Sequence, residues 1–169
     1  MKQFIFAFAI LIAGLEVSVA ASAVPDTAEH QKVVIPELSA WRTADSAHFT
    51  GHAKFRMMFE QKTPAAAYGG LVSFEAGART NWHVHPLGQT LIVTSGTGYT
   101  QSRLKDGTLG PLKIIRVGDV VICPPGVSHW HGASPYEPMT HLAIGEHSPE
   151  AGVEWQEAVD EKVYLQNPN

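Results

Sequence analysis

Short extended runs, cut at close intervals by turn-forming residues, constrain this chain more than any other feature. Phe55, Met57 and Phe59 alternate with more polar neighbours, the period of a half-buried strand. Residues 68–75 read as a second strand ended by Gly77, and the β-branched run at 90–94 as a third. Ser95-Gly-Thr-Gly98 reads as a turn with residues 99–104 returning from it, and Lys105-Asp-Gly107 carries a hairpin signal. Residues 114–117 and 120–123 flank Gly118-Asp119, and residues 139–144 form a late strand. Val33-Val34-Ile35 suits a short edge strand within an N-terminal arm, and residues 155–164 carry a short amphipathic helical pattern. About eight strands with regular turns predict an all-β sandwich or barrel and exclude an alternating βαβ arrangement. No fixed-period repeat or low-complexity segment interrupts the 169-residue chain, which is long enough for one domain with a sizeable core.

The first residues have the character of an export signal. Lys2 supplies a positive start, residues 4–15 are apolar, and Ala21-Ser22-Ala23 offers small residues for cleavage, which is expected after Ala23 with Ala20 the next choice. The apolar run ends at Glu16 and is shorter than the ~20 residues that span a bilayer. The organisation expected is therefore a signal peptide at 1–23, an arm at 24–48 and a domain at 49–169, with the mature protein periplasmic or secreted and free of the membrane. A formal charge of −4 and no basic run give nucleic-acid binding no electrostatic basis. Cys123 is the one cysteine, so no intramolecular disulfide can form, and its apolar neighbours mark it as a small buried residue.

The chemistry gathers between Gly77 and Gly96. Residues two apart on a strand share a face, so His83 and His85 project into one cavity. Pro86, Leu87 and Gly88 allow a turn, after which Gln89 offers an oxygen from the next strand. The best candidate for a third imidazole is His129, after the stretch beginning at Gly118. Three imidazoles and an amide oxygen suit a divalent metal: manganese, iron, nickel, cobalt or zinc. His131 lies two residues beyond His129 and shares its face if that segment is extended, as His141 shares one with Met139 and Ala143. Both are placed to handle protons near neutral pH, and Thr80, three residues before His83, to donate a hydrogen bond to a substrate oxygen. Trp82 and Trp130 read as packing residues, and His30, His48, His52 and His147, which lack partner spacing, as surface residues.

Gly77-x5-His83-x-His85-x3-Gln89-x6-Gly96 resembles the first motif of the cupins, and Gly118-x5-Pro124-x-Gly126-x2-His129 the second. Gln89 stands where the first motif usually has Glu, and Ala133 where the second usually ends in Asn. The longer strings FEAGARTNWHVHPLGQTLIVT and GDVVICPPGVSHWHGASPYEPMTHLAI, and the tail EWQEAVDEKVY, resemble the bacterial manganese-dependent cupin hydroxynitrile lyases, or (R)-mandelonitrile lyases, which overlap the carboxymuconolactone-decarboxylase-associated cupins. The resemblance implies a small double-stranded β-helix, or jelly-roll barrel, with a short C-terminal helix. It implies a metal, foremost Mn(2+) with Fe(2+), Zn(2+), Ni(2+) and Co(2+) as alternatives, held by His83, His85, Gln89 and His129, and places His131, His141 and Thr80 in the catalytic group. The reaction implied is cleavage of a cyanohydrin, a small oxygenated substrate, to an aldehyde and HCN. Gln in place of Glu removes one negative charge beside the metal, which favours polarising a substrate oxygen or stabilising an anion. The alternatives are a metal-dependent oxygenase, isomerase or decarboxylation-associated cupin, and a non-enzymatic small-molecule-binding barrel. A homo-oligomer, dimer or tetramer, is expected, with residues 33–35 adding a strand to a partner sheet.

Overall fold

The computed structural model of the protein describes residues 31–36, 40–61, 66–147 and 152–168. The expected signal at 1–23 and His30 lie outside the described residues. The chain divides into two units, Met1–Val33 and Val34–Asn169, and every strand and helix named below belongs to the second.

Among the described residues there are twelve strands and one helical turn: β1 (Arg42–Thr43), β2 (Phe49–Thr50), β3 (Ala53–Glu60), β4 (Ala67–Phe74), β5 (Arg79–Thr80), β6 (His83–Val84), β7 (Gln89–Arg103), β8 (Lys113–Arg116), β9 (Val120–Cys123), β10 (Ser128–Ala133), β11 (Met139–Glu146), β12 (Glu154–Trp155) and α1 (Glu161–Tyr164). They form a curled, antiparallel sheet in the order β1-β3-β4-β11-β7-β10-β5-β2. The all-β reading holds, and the extended runs expected around residues 55–59, 68–75, 114–117, 120–123 and 139–144 all fall on strands.

The turn expected at Ser95–Gly98 is not a reversal. The strand β7 runs straight through it, pairing with β11 and β9 before Thr97 and with β10 and β8 from there on. The two glycines let one strand fold over from one half of the barrel to the other. Gly96 has φ +73°, and a Cβ there would lie 1.8 Å from the carbonyl oxygen of Pro138. Beside it Thr94 is left out of the ladder, since Ser95 pairs with Thr140 and Val93 with His141, a bulge that tightens the bend. The hairpin at Lys105-Asp-Gly107 is present: Leu104 and Thr108 are joined by a backbone hydrogen bond, and Gly107 has φ +88°.

Two clusters hold the barrel. Phe74, Val93, Ile115, Ala133 and Met139 fill the space between its walls. Trp82, Tyr99, Leu112, Trp130, Val159 and Tyr164 pack on the outer side of β10, under the C-terminal segment, so Trp82 and Trp130 are packing residues as expected. The Tyr164 hydroxyl donates to the Ala133 carbonyl at 2.9 Å, and the Arg79 guanidinium covers the Tyr164 ring at 4.2 Å.

The helix expected over 155–164 is confined to α1, whose first turn is capped by the Asp160 carboxylate accepting from the Lys162 N–H. Trp155 is on a strand instead, paired with His83, and the chain beyond it stays extended because Trp82 exchanges backbone hydrogen bonds with Gln156 and Glu157. Tertiary pairing overrides a weak local helical preference. Val33, Val34 and Ile35 form no strand among the described residues and are exposed, whereas Arg42 and Thr43 of the same arm pair with Phe55 and Lys54. Among the described residues no helix is long and apolar enough to cross a membrane.

Gly96→Ala should cost about 2–4 kcal/mol in urea unfolding, from the left-handed backbone and the collision together. Gly107→Ala, with the same sign of φ and nothing within 4 Å of its Cβ, should cost about 1 kcal/mol. Equal losses would contradict the bend's role.

Candidate metal centre

The site is built on a register. In β6 and β10, His83 stands directly opposite His129, with Trp155 of β12 opposite His83 on its other side. The His83 and His129 ring centroids are 4.4 Å apart. Each ring is fixed by its own strand: His83 Nδ1 donates to the Asn81 carbonyl at 3.0 Å and His129 Nδ1 to the Val127 carbonyl at 2.9 Å. A carbonyl can only accept, so both rings carry the proton on Nδ1 and turn the Nε2 lone pair into the barrel.

His85 follows Val84, and its ring centroid lies 5.3 Å from His83 and 5.8 Å from His129. Alternation on β10 sends His129 and His131 inward and Trp130 out to the helical cluster. Among the described residues, one ring nitrogen from each of His83, His129 and His131 lies within 4.8 Å of the other two, a group that includes His131 and leaves out His85. Gln89 opens β7 facing the same cavity. Its Oε1 is buried without a hydrogen-bond partner, as are His129 Nε2 and His131 Nε2. Buried acceptors without partners cost about 1–3 kcal/mol each, and a group of them beside clustered imidazoles fits a cation. These donors, imidazole nitrogen and amide oxygen, are those of a divalent metal site.

His131 differs from its neighbours. Its Nδ1 faces Nε2 of His141 at 3.1 Å, a fully buried pair in which either ring can carry the shared proton. Thr80 Oγ1 accepts the backbone N–H of His131 at 3.2 Å, which anchors that residue and leaves the Thr80 hydroxyl hydrogen for the cavity. Burial, and then the other imidazoles, hold His83 and His131 well below the ordinary imidazole value. Burial and His129 bring His85 to about 4, burial brings His141 to about 3, and burial lowers His129 against the opposing pull of the Val127 carbonyl. All five rings are thus neutral near pH 7, with lone pairs available.

The cavity holds about 260 Å³. Thr80, His83, His85, Gln89 and His131 line its polar end, and Phe49, Phe55, Met57, Val72 and Trp155 its apolar walls. Every site residue expected from the sequence except His129 and His141 lies in this wall, and those two touch it through His83 and His131. A larger open groove of about 790 Å³ runs outside the barrel past Arg103, Pro125 and Gln156; it contains no histidine, and its Arg103 is committed to Glu157, Gln156 and the Trp82 ring.

Two contributions escaped the sequence reading. Trp155 stacks between His83, at 5.0 Å, and His48, at 4.4 Å and 7° between planes, so His48 is half-buried packing rather than free surface. Phe49 joins this wall from β2. Neither residue carries a local signal, because each is brought in by a two-residue strand. Cys123 is buried, and burial pushes its thiol up to about 12, which makes it inert.

Comparison with known proteins agrees with this geometry. Over 116 residues the chain is 48% identical to a protein named (R)-mandelonitrile lyase from Granulicella tundricola, an alignment covering 69% of this chain and 85% of that protein. A cupin-like protein from Thermotoga maritima superposes with a TM-score of 0.66 at 37% identity, covering 79% of this chain and 95% of that one. A cupin 2 conserved barrel domain protein from Rhodopseudomonas palustris shares the fold at a TM-score of 0.55 and 15% identity, over 64% of this chain and 72% of its own. Residues 70–145, from the middle of β4 to the end of β11, match the cupin domain family, and with its two histidine-bearing segments meeting across β6 and β10 the chain belongs to the cupins.

Proposed function

We propose that the protein is a divalent-metal-dependent lyase that cleaves a small cyanohydrin to an aldehyde and HCN. The observation that carries this reading is the group of His83, His129 and His131, one ring nitrogen of each within 4.8 Å of the others, beside a small cavity into whose wall Gln89 and His131 reach, with Gln89 Oε1 and the Nε2 atoms of His129 and His131 buried without partners. Support comes from the 48% identity to a protein named as a lyase of this kind.

The hydrogen bonds divide the histidines into two roles. Nδ1 of His83 and of His129 is tied to a carbonyl, so their Nε2 atoms can only accept, and with His85 and Gln89 they would hold the metal, Mn(2+) foremost. Such a dication supplies Lewis-acid polarisation of a substrate oxygen and a positive field for a departing anion. His131 faces another imidazole instead of a carbonyl, so its Nε2 can switch between acceptor and donor by passing a proton between its Nδ1 and His141 Nε2. His131 Nε2 takes the substrate's hydroxyl proton, the hydroxyl oxygen becomes the aldehyde carbonyl, and the carbon–carbon bond breaks with its electron pair leaving on cyanide. The proton held by His131 and His141 then returns to cyanide as HCN, and charge and atoms balance. The Thr80 hydroxyl donates to the substrate oxygen from beside His131. Phe49, Phe55 and Trp155 exclude water and seat the apolar part of the substrate. The proposal includes export: cleavage after Ala23 would leave residues 24–169 outside the cytoplasm.

His131→Ala should lower cyanide release from mandelonitrile about 10²–10⁴-fold with metal content unchanged. Retained turnover would remove His131 from the mechanism. A chelator should abolish release, and excluding dioxygen should leave it unaltered; dependence on dioxygen would move the protein to the oxygenases.

A further inference from the structure

One polar group in the cavity wall has no part in that scheme, the phenol of Tyr68. Tyr68 faces inward on β4 in line with Gly70 and Val72, and its direct partner on β11 is Gly145. The ring lies across that glycine. A Cβ on residue 145 would fall 2.6 Å from the Tyr68 hydroxyl oxygen and 2.7 Å from the ring carbon bearing it. The neighbouring pair is Ile144 with Thr90, so the phenol reaches over β11 towards the beginning of β7, where Gln89 stands. Glycine at 145 is therefore what gives the phenol its place.

The side chain sits at a junction. Tyr68, His85 and Val153 border both the 260 Å³ metal cavity and a second hollow of about 220 Å³ that contains Glu146 and His147. The Tyr68 ring packs on His147 at 4.8 Å, yet the hydroxyl has no hydrogen-bond partner among the described residues. Burial raises the phenol's pKa, so it stays a neutral donor. His131 Nε2, the proton acceptor, borders the same cavity.

We propose that Tyr68 determines specificity by donating its O–H to the acceptor end of the substrate, the nitrile in the lyase reading, while the substrate hydroxyl meets His131. The reading rests on the lyase assignment for its substrate class: a small α-hydroxynitrile whose acceptor lies one carbon from the hydroxyl-bearing carbon. A donor at that end also favours departure of cyanide, because the hydrogen bond strengthens as the nitrile becomes an anion.

Phenylacetonitrile tests this without turnover, since it keeps the ring and nitrile but lacks the hydroxyl that cleavage requires. Its affinity should be compared with that of ethylbenzene, similar in size and without an acceptor, in metal-loaded wild type, Tyr68→Phe and Gly145→Ala. Tyr68→Phe should weaken phenylacetonitrile about tenfold and leave ethylbenzene unchanged. Gly145→Ala, which keeps the phenol but displaces it, should show the same selective loss. Unchanged phenylacetonitrile affinity in both variants, equal loss of both ligands, or no binding to wild type would overturn the proposal. Cyanide release from mandelonitrile is read separately, so failure of the lyase assignment stays distinguishable from failure of the Tyr68 contact.

Discussion

The site depends on the cross-strand pairing of His83 with His129. Once β6 and β10 are in that register, two imidazoles lie 4.4 Å apart, each with its outer nitrogen tied to the carbonyl two residues before it. Burial then forbids the cationic form, so both present lone pairs to the same point. A slip of one residue would turn His129 and His131 out and Trp130 in, exchanging the site for part of the core. The anchors against that slip are Trp130 itself, fully buried under the C-terminal segment, and the Tyr164 hydroxyl bonded to Ala133 at the end of the strand. The distant C-terminal turn thus sets the register on which the histidines depend.

In the proposed mechanism the same hydrogen bonds separate holding from proton transfer. An imidazole against a carbonyl has one tautomer, and an imidazole against another imidazole has two. His83 and His129 are of the first kind and His131 with His141 of the second, although all four are buried in one volume. The unpartnered acceptors at Gln89, His129 and His131 are costly to a folded chain without a ligand. Arg56 Nε, Arg79 Nε and His141 Nδ1 are also buried without partners, but it is around the histidines that such atoms gather, which marks the place where stability is given up for a ligand.

Much of this was legible in the sequence because strand period is a local rule. The spacing of His83 and His85, of His129 and His131, and of Met139, His141 and Ala143 placed each set on one face, and the barrel carries each on its inner wall. What escaped was set by distant pairing. Ser95–Gly98 has turn composition, but Pro138 and Met139 packed against Gly96 make it a crease in one continuous strand. Trp155 has a helical neighbourhood, but Val84 and His83 capture it as a strand. His48 has no partner spacing, but the Trp155 ring lies parallel to it. The group of nitrogens within 4.8 Å of one another includes His131, a residue the sequence places beside His129 by spacing but whose bond to His141 only the folded barrel displays.

Elemental analysis of the purified protein beside its His129→Ala variant tests the central claim most directly. Near one divalent metal ion per chain in the first, lost in the second with the barrel still folded by circular dichroism, is the result the geometry predicts. No bound metal in either protein, even after reconstitution with manganese, iron, nickel, cobalt or zinc, would contradict it and leave the unpartnered buried atoms of Gln89, His129 and His131 without the cation that explains them.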